Sequence, residues 1–135
     1  MAHLLETRKL TKVFGDFVAN KDVDFWCDEG TVVSLLGENG AGKSTLMKTI
    51  YGMQNPDGGE ILFEGKTVHF KNPKEAIACG IQMVHQHFML IEEMTVAENI
   101  VMGEEPTRKG LFDKKEAARR IRKISDTYHF DIDPQ

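Results

Sequence analysis

Gly37-Glu38-Asn39-Gly40-Ala41-Gly42-Lys43-Ser44-Thr45 decides how this 135-residue chain is read. The stretch fits G-x-x-x-x-G-K-[ST], the loop pattern that cradles phosphates. Its surroundings agree with that reading. An apolar run, Val32 to Leu36, leads in, and a helix-compatible segment from Ser44 to Ile50 leads out. Strand, glycine loop and helix, in that order, form the context the pattern requires. The first implication is a site for a nucleoside triphosphate.

A triphosphate carries several negative charges and many acceptor oxygens, so its loop needs inward-pointing backbone N–H groups and no obstructing side chains. Gly37, Gly40 and Gly42 have no Cβ and allow that close approach. The helix that begins near Lys43 adds its unpaired N–H groups and the positive end of its dipole. Lys43 supplies a full charge for the β- and γ-phosphates, and the Ser44 hydroxyl is placed to ligate Mg²⁺. Thr45 is expected to donate to a phosphate or to cap the helix. Glu38, Asn39 and Ala41 complete the nucleotide-contacting stretch.

The bulk properties narrow the field. A chain of 135 residues is one domain's worth and buries roughly two thirds of its unfolded surface. The net charge of −4 argues against a nucleic-acid partner, which needs a basic face. No run of about twenty apolar residues is present, so no membrane-spanning helix is expected. The first ten residues lack the apolar core of a secretion signal and read as mature cytoplasmic protein. Cys27 and Cys79 are expected to be small buried apolar residues in a reducing compartment.

Outside the loop, Leu4 to Phe14 is β-compatible and Gly15-Asp16 signals a turn. Val23, Phe25 and Cys27 then alternate with Asp22, Asp24 and Trp26. Thr31–Leu36 reads as a buried strand. Glu60 to Phe63 and Thr67 to Phe70 read as a hairpin, and Ile81 to His85 as another apolar strand. Pro73 opens a short helix over Lys74 to Cys79, ended by Gly80. Thr95-x-x-Glu98 is a capping box for a helix over Val96–Met102. Glu104 to Gly110 reads as a polar loop. Asp113 caps a helix from Lys114 to Tyr128, with Glu116 as capping-box partner and Ala117, Ile121, Ile124 and Tyr128 as its apolar stripe. The basic residues of that helix read as a solvated face.

These segments together resemble the ATP-binding subunit of ABC transporters. Val13-Phe14-Gly15 followed by Val18-Ala19-Asn20 looks like the family's adenine-contact loop, and the resemblance implies that Phe14 stacks on the base. Ile50-Tyr51-Gly52 and Pro56-Asp57-Gly58-Gly59-Glu60-Ile61 are similar to the segment after the phosphate loop. Gly80 to Gln86 looks like the strand entering the Q-loop, which makes Gln86 the glutamine that reaches Mg²⁺ or the attacking water. His85-Gln86-His87-Phe88-Met89-Leu90, then Thr95-Val96-Ala97-Glu98-Asn99-Ile100, is similar to the importers of simple sugars and nucleosides. No further ligand lies near His85 and His87, so they are assigned to contact with the transmembrane partner rather than to a metal.

The resemblance implies an α/β fold: part of a P-loop NTPase core, an N-terminal antiparallel β subdomain and the start of a helical subdomain. Residues 1–36 and 59–70 are assigned to the β subdomain, 31–52 and 81–86 to the core, and 95–135 to the helical part. The implied cofactors are ATP and Mg²⁺. The implied partners are transmembrane permease subunits, a second ATP-binding domain in a head-to-tail dimer, and indirectly a periplasmic or extracellular solute-binding protein. The implied place is the cytoplasmic face of the cell membrane, as a peripheral subunit.

No L-S-G-G-Q signature is found in the sequence, nor a strand ending in Asp-Glu. Phe88 to Glu93 imitates such a strand, but Glu replaces the usual Asp and the run starts directly after the Q-loop. The 135 residues alone are therefore expected to hold ATP with little or no hydrolysis. Two alternatives remain at this point: a soluble non-transport ABC ATPase, and another P-loop enzyme such as a small-molecule kinase.

Overall fold

β1 (Leu5–Phe14) and β2 (Phe17–Cys27) fold back on each other through Gly15-Asp16, pairing Phe14 with Phe17 and Leu5 with Cys27. The computed structural model describes residues 3–85 and 90–133, and the chain divides into two units, Met1–Val84 and His85–Gln135. In the first unit β3 (Gly58–Phe63) and β4 (Lys66–Val68) complete a four-stranded antiparallel sheet in the order β2-β1-β3-β4. β1 departs from regular pairing near Lys9, where φ is positive and the registers with both β2 and β3 shift. Gly59 crosses at this bulge with φ of 77°, and any Cβ there would strike the carbonyls of Arg8 and Lys9.

The amphipathic character of α1 (Lys43–Ile50) places it against this sheet. Leu46 and Ile50 meet Leu10 and Ile61 in one buried cluster, with Val23, Phe25 and Val68 around it. α2 (Pro73–Ala78) starts as its sequence dictates: Asn72 accepts the Glu75 N–H at 3.3 Å and Pro73 takes the first helical position. Cys79 ends the helix and Gly80 follows at φ of 93°. Ala76 packs with Tyr51 and Phe70 in a second cluster.

Two expected strands are not formed. Residues 31–36 and 81–85 carry no regular ladder, and Val32 and Leu36 are 97% and 89% exposed. A strand is defined by hydrogen bonds to a neighbour, and parallel core strands need partners brought in by crossover connections. Among the described residues no strand pairs with either segment. The two cysteines also differ from expectation, since Cys27 is half-buried and Cys79 exposed.

In the second unit, α3 (Val96–Ile100) is shorter than its pattern suggested, but its capping box is complete. Glu98 N–H donates to Thr95 Oγ1 at 3.2 Å, and Thr95 N–H donates to Glu98 Oε2 at 2.9 Å. The presumed loop 104–110 contributes to a small hairpin, β5 (Thr107–Arg108) with β6 (Leu111–Phe112). α4 (Lys114–Tyr128) has the expected bounds, and Asp113 accepts the Glu116 N–H at 3.1 Å. Glu116 does not close a capping box, because its carboxylate turns to Arg119 and Arg120, at 2.7 and 3.1 Å. The buried stripe of α4 is Ala117, Ile121 and Ser125, packed with Ala97 and Val101 of its own unit; Ile124 and Tyr128 are exposed. The expected stripe followed apolar residue type, whereas the i, i+4 rows of the helix bring Ser125 inward instead.

Candidate functional site

The phosphate-loop residues lie together at the N-terminus of α1. Gly40 and Gly42 have φ of 85° and 82°, and the Ala41 N–H closes a turn onto the Glu38 carbonyl at 3.2 Å. Gly42 is the N-cap of α1 and offers no side-chain cap. Thr45 lies inside the helix, so it does not cap it; its carbonyl accepts the Thr49 hydroxyl at 2.9 Å. The first turn of α1 contains no acidic residue. Its N-terminal N–H groups and dipole would therefore meet a bound anion with no carboxylate of that turn opposing it.

Lys43 turns back over the loop. Its ammonium donates to the carbonyls of Gly37 and Glu38, each at 2.6 Å. These are the loop's own oxygens, and the same reach would serve a phosphate lying between loop and helix. Ser44 is exposed in the first turn, next to Lys43, and Asn39 sits at the exposed tip of the loop. Gly37 stands within ordinary contact of Lys43: a Cβ built there would lie 3.8 Å from the ammonium. The residues present thus fit a triphosphate chemically: a glycine cradle, a helix N-terminus and one lysine. A serine hydroxyl beside them fits a hard cation carried by that ligand.

Phe14 stands at the end of β1 with its side chain 44% exposed. The Lys12 ammonium lies 5.4 Å from the ring centroid, a cation–π distance. Lys12 is in turn held by Asp57 at 2.9 Å, and Asp57 also accepts the Val13 N–H at 2.7 Å. The Val13 N–H, with Lys12 adding to it, lowers the Asp57 carboxyl below its ordinary range. Asp57 thus clamps the backbone beside Phe14 from the turn that precedes β3. The sequence places Asp57 in the family-resembling stretch Pro56 to Ile61 without assigning it a role; the clamp is a contact across 44 residues.

Gln86, His87, Phe88 and Met89 lie outside the described residues, so the Q-loop glutamine has no place in this geometry. Glu92 and Glu93 sit in a turn rather than at a strand end. Asn99 ties that turn together: its Oδ1 accepts the Ile91 N–H at 2.9 Å, and its Nδ2 donates to the Ile91 carbonyl at 3.0 Å. Among the described residues no group of three or more His, Cys, Asp or Glu side chains is placed to hold a metal, and no helix is long and apolar enough to cross a membrane.

Comparison with known proteins converges on one family. The family described as ABC transporter matches residues 20–133. The guanosine import ATP-binding protein NupO of Bacillus subtilis (strain 168) is 44% identical over all of this chain. The nucleoside import ATP-binding protein NupA of Lactococcus lactis subsp. cremoris (strain MG1363) is 46% identical over 93% of it. The ribose import ATP-binding protein RbsA 1 of Rubrobacter xylanophilus is 44% identical over all of it. The chain spans about a quarter of these proteins, 26%, 25% and 27% of their lengths. Among solved structures, a nucleotide-free ATP-binding cassette from an ABC transporter superposes with a TM-score of 0.75 at 30% identity, covering 96% of this chain and 56% of that one. The ATP-binding cassette MJ1267 superposes with a TM-score of 0.76 at 32% identity, covering 93% of this chain and 54% of that one. The fold is therefore that of a partial P-loop NTPase core with an antiparallel β subdomain.

Proposed function

The chain belongs to the ABC transporter family, and from that premise we propose that it binds ATP as part of an importer for nucleosides or simple sugars. The observation that carries the ATP reading is the loop from Gly37 to Thr45, with its two left-handed glycines and with Lys43 folded onto the loop mouth. The import reading is supported by the nucleoside, guanosine and ribose import proteins among the relatives. In this reading the loop N–H groups and the α1 N-terminus hold the phosphates, Lys43 exchanges its two carbonyl partners for phosphate oxygens, and Phe14 carries the adenine. Ser44 and Gln86 are the proposed Mg²⁺ ligands, and the ion would neutralise phosphate charge.

The longer protein is proposed to hydrolyse ATP in a head-to-tail pair of ATP-binding domains and to drive permease subunits fed by a solute-binding protein. It would work at the cytoplasmic face of the membrane. The division into a β subdomain (1–36, 59–70), core segments (31–52, 81–86) and the start of a helical part (95–135) is proposed on the same footing. Residues 1–135 alone are proposed to bind ATP without efficient turnover.

The test is equilibrium titration of the full-length protein with a fluorescent ATP analogue. Lys43→Ala is expected to weaken binding at least about tenfold, the size of a lost charge-assisted contact. Equal affinity of wild type and Lys43→Ala would refute the assignment of the loop.

A further inference from the structure

Asn20 lies in β2 and is only 7% exposed, yet it is polar. Its Nδ2 donates to the Gly42 carbonyl at 3.2 Å. That oxygen also accepts the Leu46 N–H at 2.9 Å, the bond that opens α1. One carbonyl at the base of the phosphate loop is thus shared between the helix it starts and a strand of the antiparallel sheet. The opposite amide orientation would set Oδ1 against the carbonyl oxygen, so the donor must face Gly42.

Two further observations give this contact a purpose. Asn20 Oδ1 is buried and, among the described residues, has no hydrogen-bond partner. An unpartnered buried oxygen is a standing cost, and an apolar side chain of equal shape would avoid it. The donor on the other branch is the compensating feature. Gly42 also presses directly on β2: a Cβ there would strike the Ala19 carbonyl and lie 2.6 Å from Asn20 Nδ2. β2 begins at Phe17, which pairs with Phe14. The same strand therefore carries the partner of the proposed base platform and, three residues on, the anchor of the phosphate loop.

We propose that Asn20 is a positioning residue that fixes the phosphate loop relative to the base platform, so that one ATP molecule reaches both. This rests on the ATP reading of the Gly37–Thr45 loop and on Phe14 as base platform. It makes a demand that the ATP reading alone does not. Removing the Asn20 donor should penalise a ligand that spans base and phosphates more than one that occupies the loop only.

The experiment uses the full-length protein, an ATP analogue with a fluorescent ribose, and tripolyphosphate as competitor. Wild type should bind both ligands and Lys43→Ala should lose both. Asn20→Leu is expected to weaken the ATP analogue about tenfold while tripolyphosphate changes by no more than about threefold. A partly unfolded population lowers both apparent affinities by the same factor, so their ratio does not respond to lost stability alone. Asn20→Ser, too short to reach Gly42, should give the same ratio and serves if the leucine variant does not fold. Failure of wild type to bind either ligand overturns the nucleotide reading itself. Normal wild-type binding with an unchanged ratio in both Asn20 variants overturns the positioning role and leaves the nucleotide reading standing.

Discussion

Asp57 shows how much a single carboxylate can do at this site. It accepts the Val13 N–H at 2.7 Å, stands 2.9 Å from the Lys12 ammonium, and returns its own N–H to the Thr11 carbonyl at 2.9 Å. Three consecutive residues leading to Phe14 are held from one position. Asp57 also holds the Lys12 ammonium in place beside the Phe14 ring. Asp57→Ala removes both the clamp and the partner, and is expected to weaken an ATP analogue roughly several-fold, less than the loss of a direct charge-assisted contact because Asp57 acts through the backbone beside Phe14. Titrating the purified variant beside wild type checks this; unchanged affinity would separate Phe14 from the nucleotide. Asn20 and Asp57 are alike in that each lies in a family-resembling stretch that assigns its side chain no role. Each acts through a backbone group 22 or 44 residues away.

At the level of elements, α4 illustrates how local rules are kept in one place and displaced in another. Asp113 caps the helix as its position in the sequence implies, but Glu116 leaves the box for two arginines one turn on. Hydrogen bonds from Arg119 and then Arg120 lower the Glu116 carboxyl to about 2, against an ordinary 4.5. The sign follows from linkage: a carboxyl with a depressed folded value stabilises the helix fully above the unfolded value, and that contribution is lost as the pH falls from about 4.5 through about 2. The pair is at the surface, so the effect on global stability is small and screened by salt. A carboxyl-detected NMR titration should find Glu116 ionised at pH 3, and Arg119→Ala should move its midpoint upward. A midpoint in the ordinary glutamate range in wild type would contradict the Arg119–Glu116–Arg120 geometry. α3 teaches the complementary lesson. Its capping box forms in full although the helix has only five residues, because capping depends on four neighbouring residues and not on helix length.

Across the first unit as a whole, a four-stranded antiparallel sheet and α1 form the core, while Val32, Val33, Leu35, Leu36 and Val84 remain exposed. Apolar segments with unpaired backbone groups are templates for association. The 135-residue chain is expected to sediment as a concentration-dependent mixture, its mean mass rising with loading concentration. A single monomeric species across that range would show that these segments find cover within the chain. Leu46 and Ile50 hold α1 to the sheet through Leu10 and Ile61, a cluster that contains none of these exposed residues.

The sequence by itself determined what depends on a few neighbouring residues. It set the glycine loop from Gly37 to Thr45, the caps at Thr95 and Asp113, the opening of α2 at Pro73, the turn at Gly15-Asp16 and the hairpin that follows Glu60 to Phe63. These were legible because turn, cap and loop chemistry act within three or four positions. The family resemblance implied roles for Phe14 and Gln86, which local chemistry alone does not single out. Only the tertiary structure decided the rest. The apolar runs at 31–36 and 81–85 read as strands, but a strand exists only with a paired neighbour, and pairing is a property of the fold. In the same way, the Lys12–Asp57 clamp on Phe14 and the Asn20 anchor on Gly42 appear only when the antiparallel sheet brings distant residues within hydrogen-bond reach of the site.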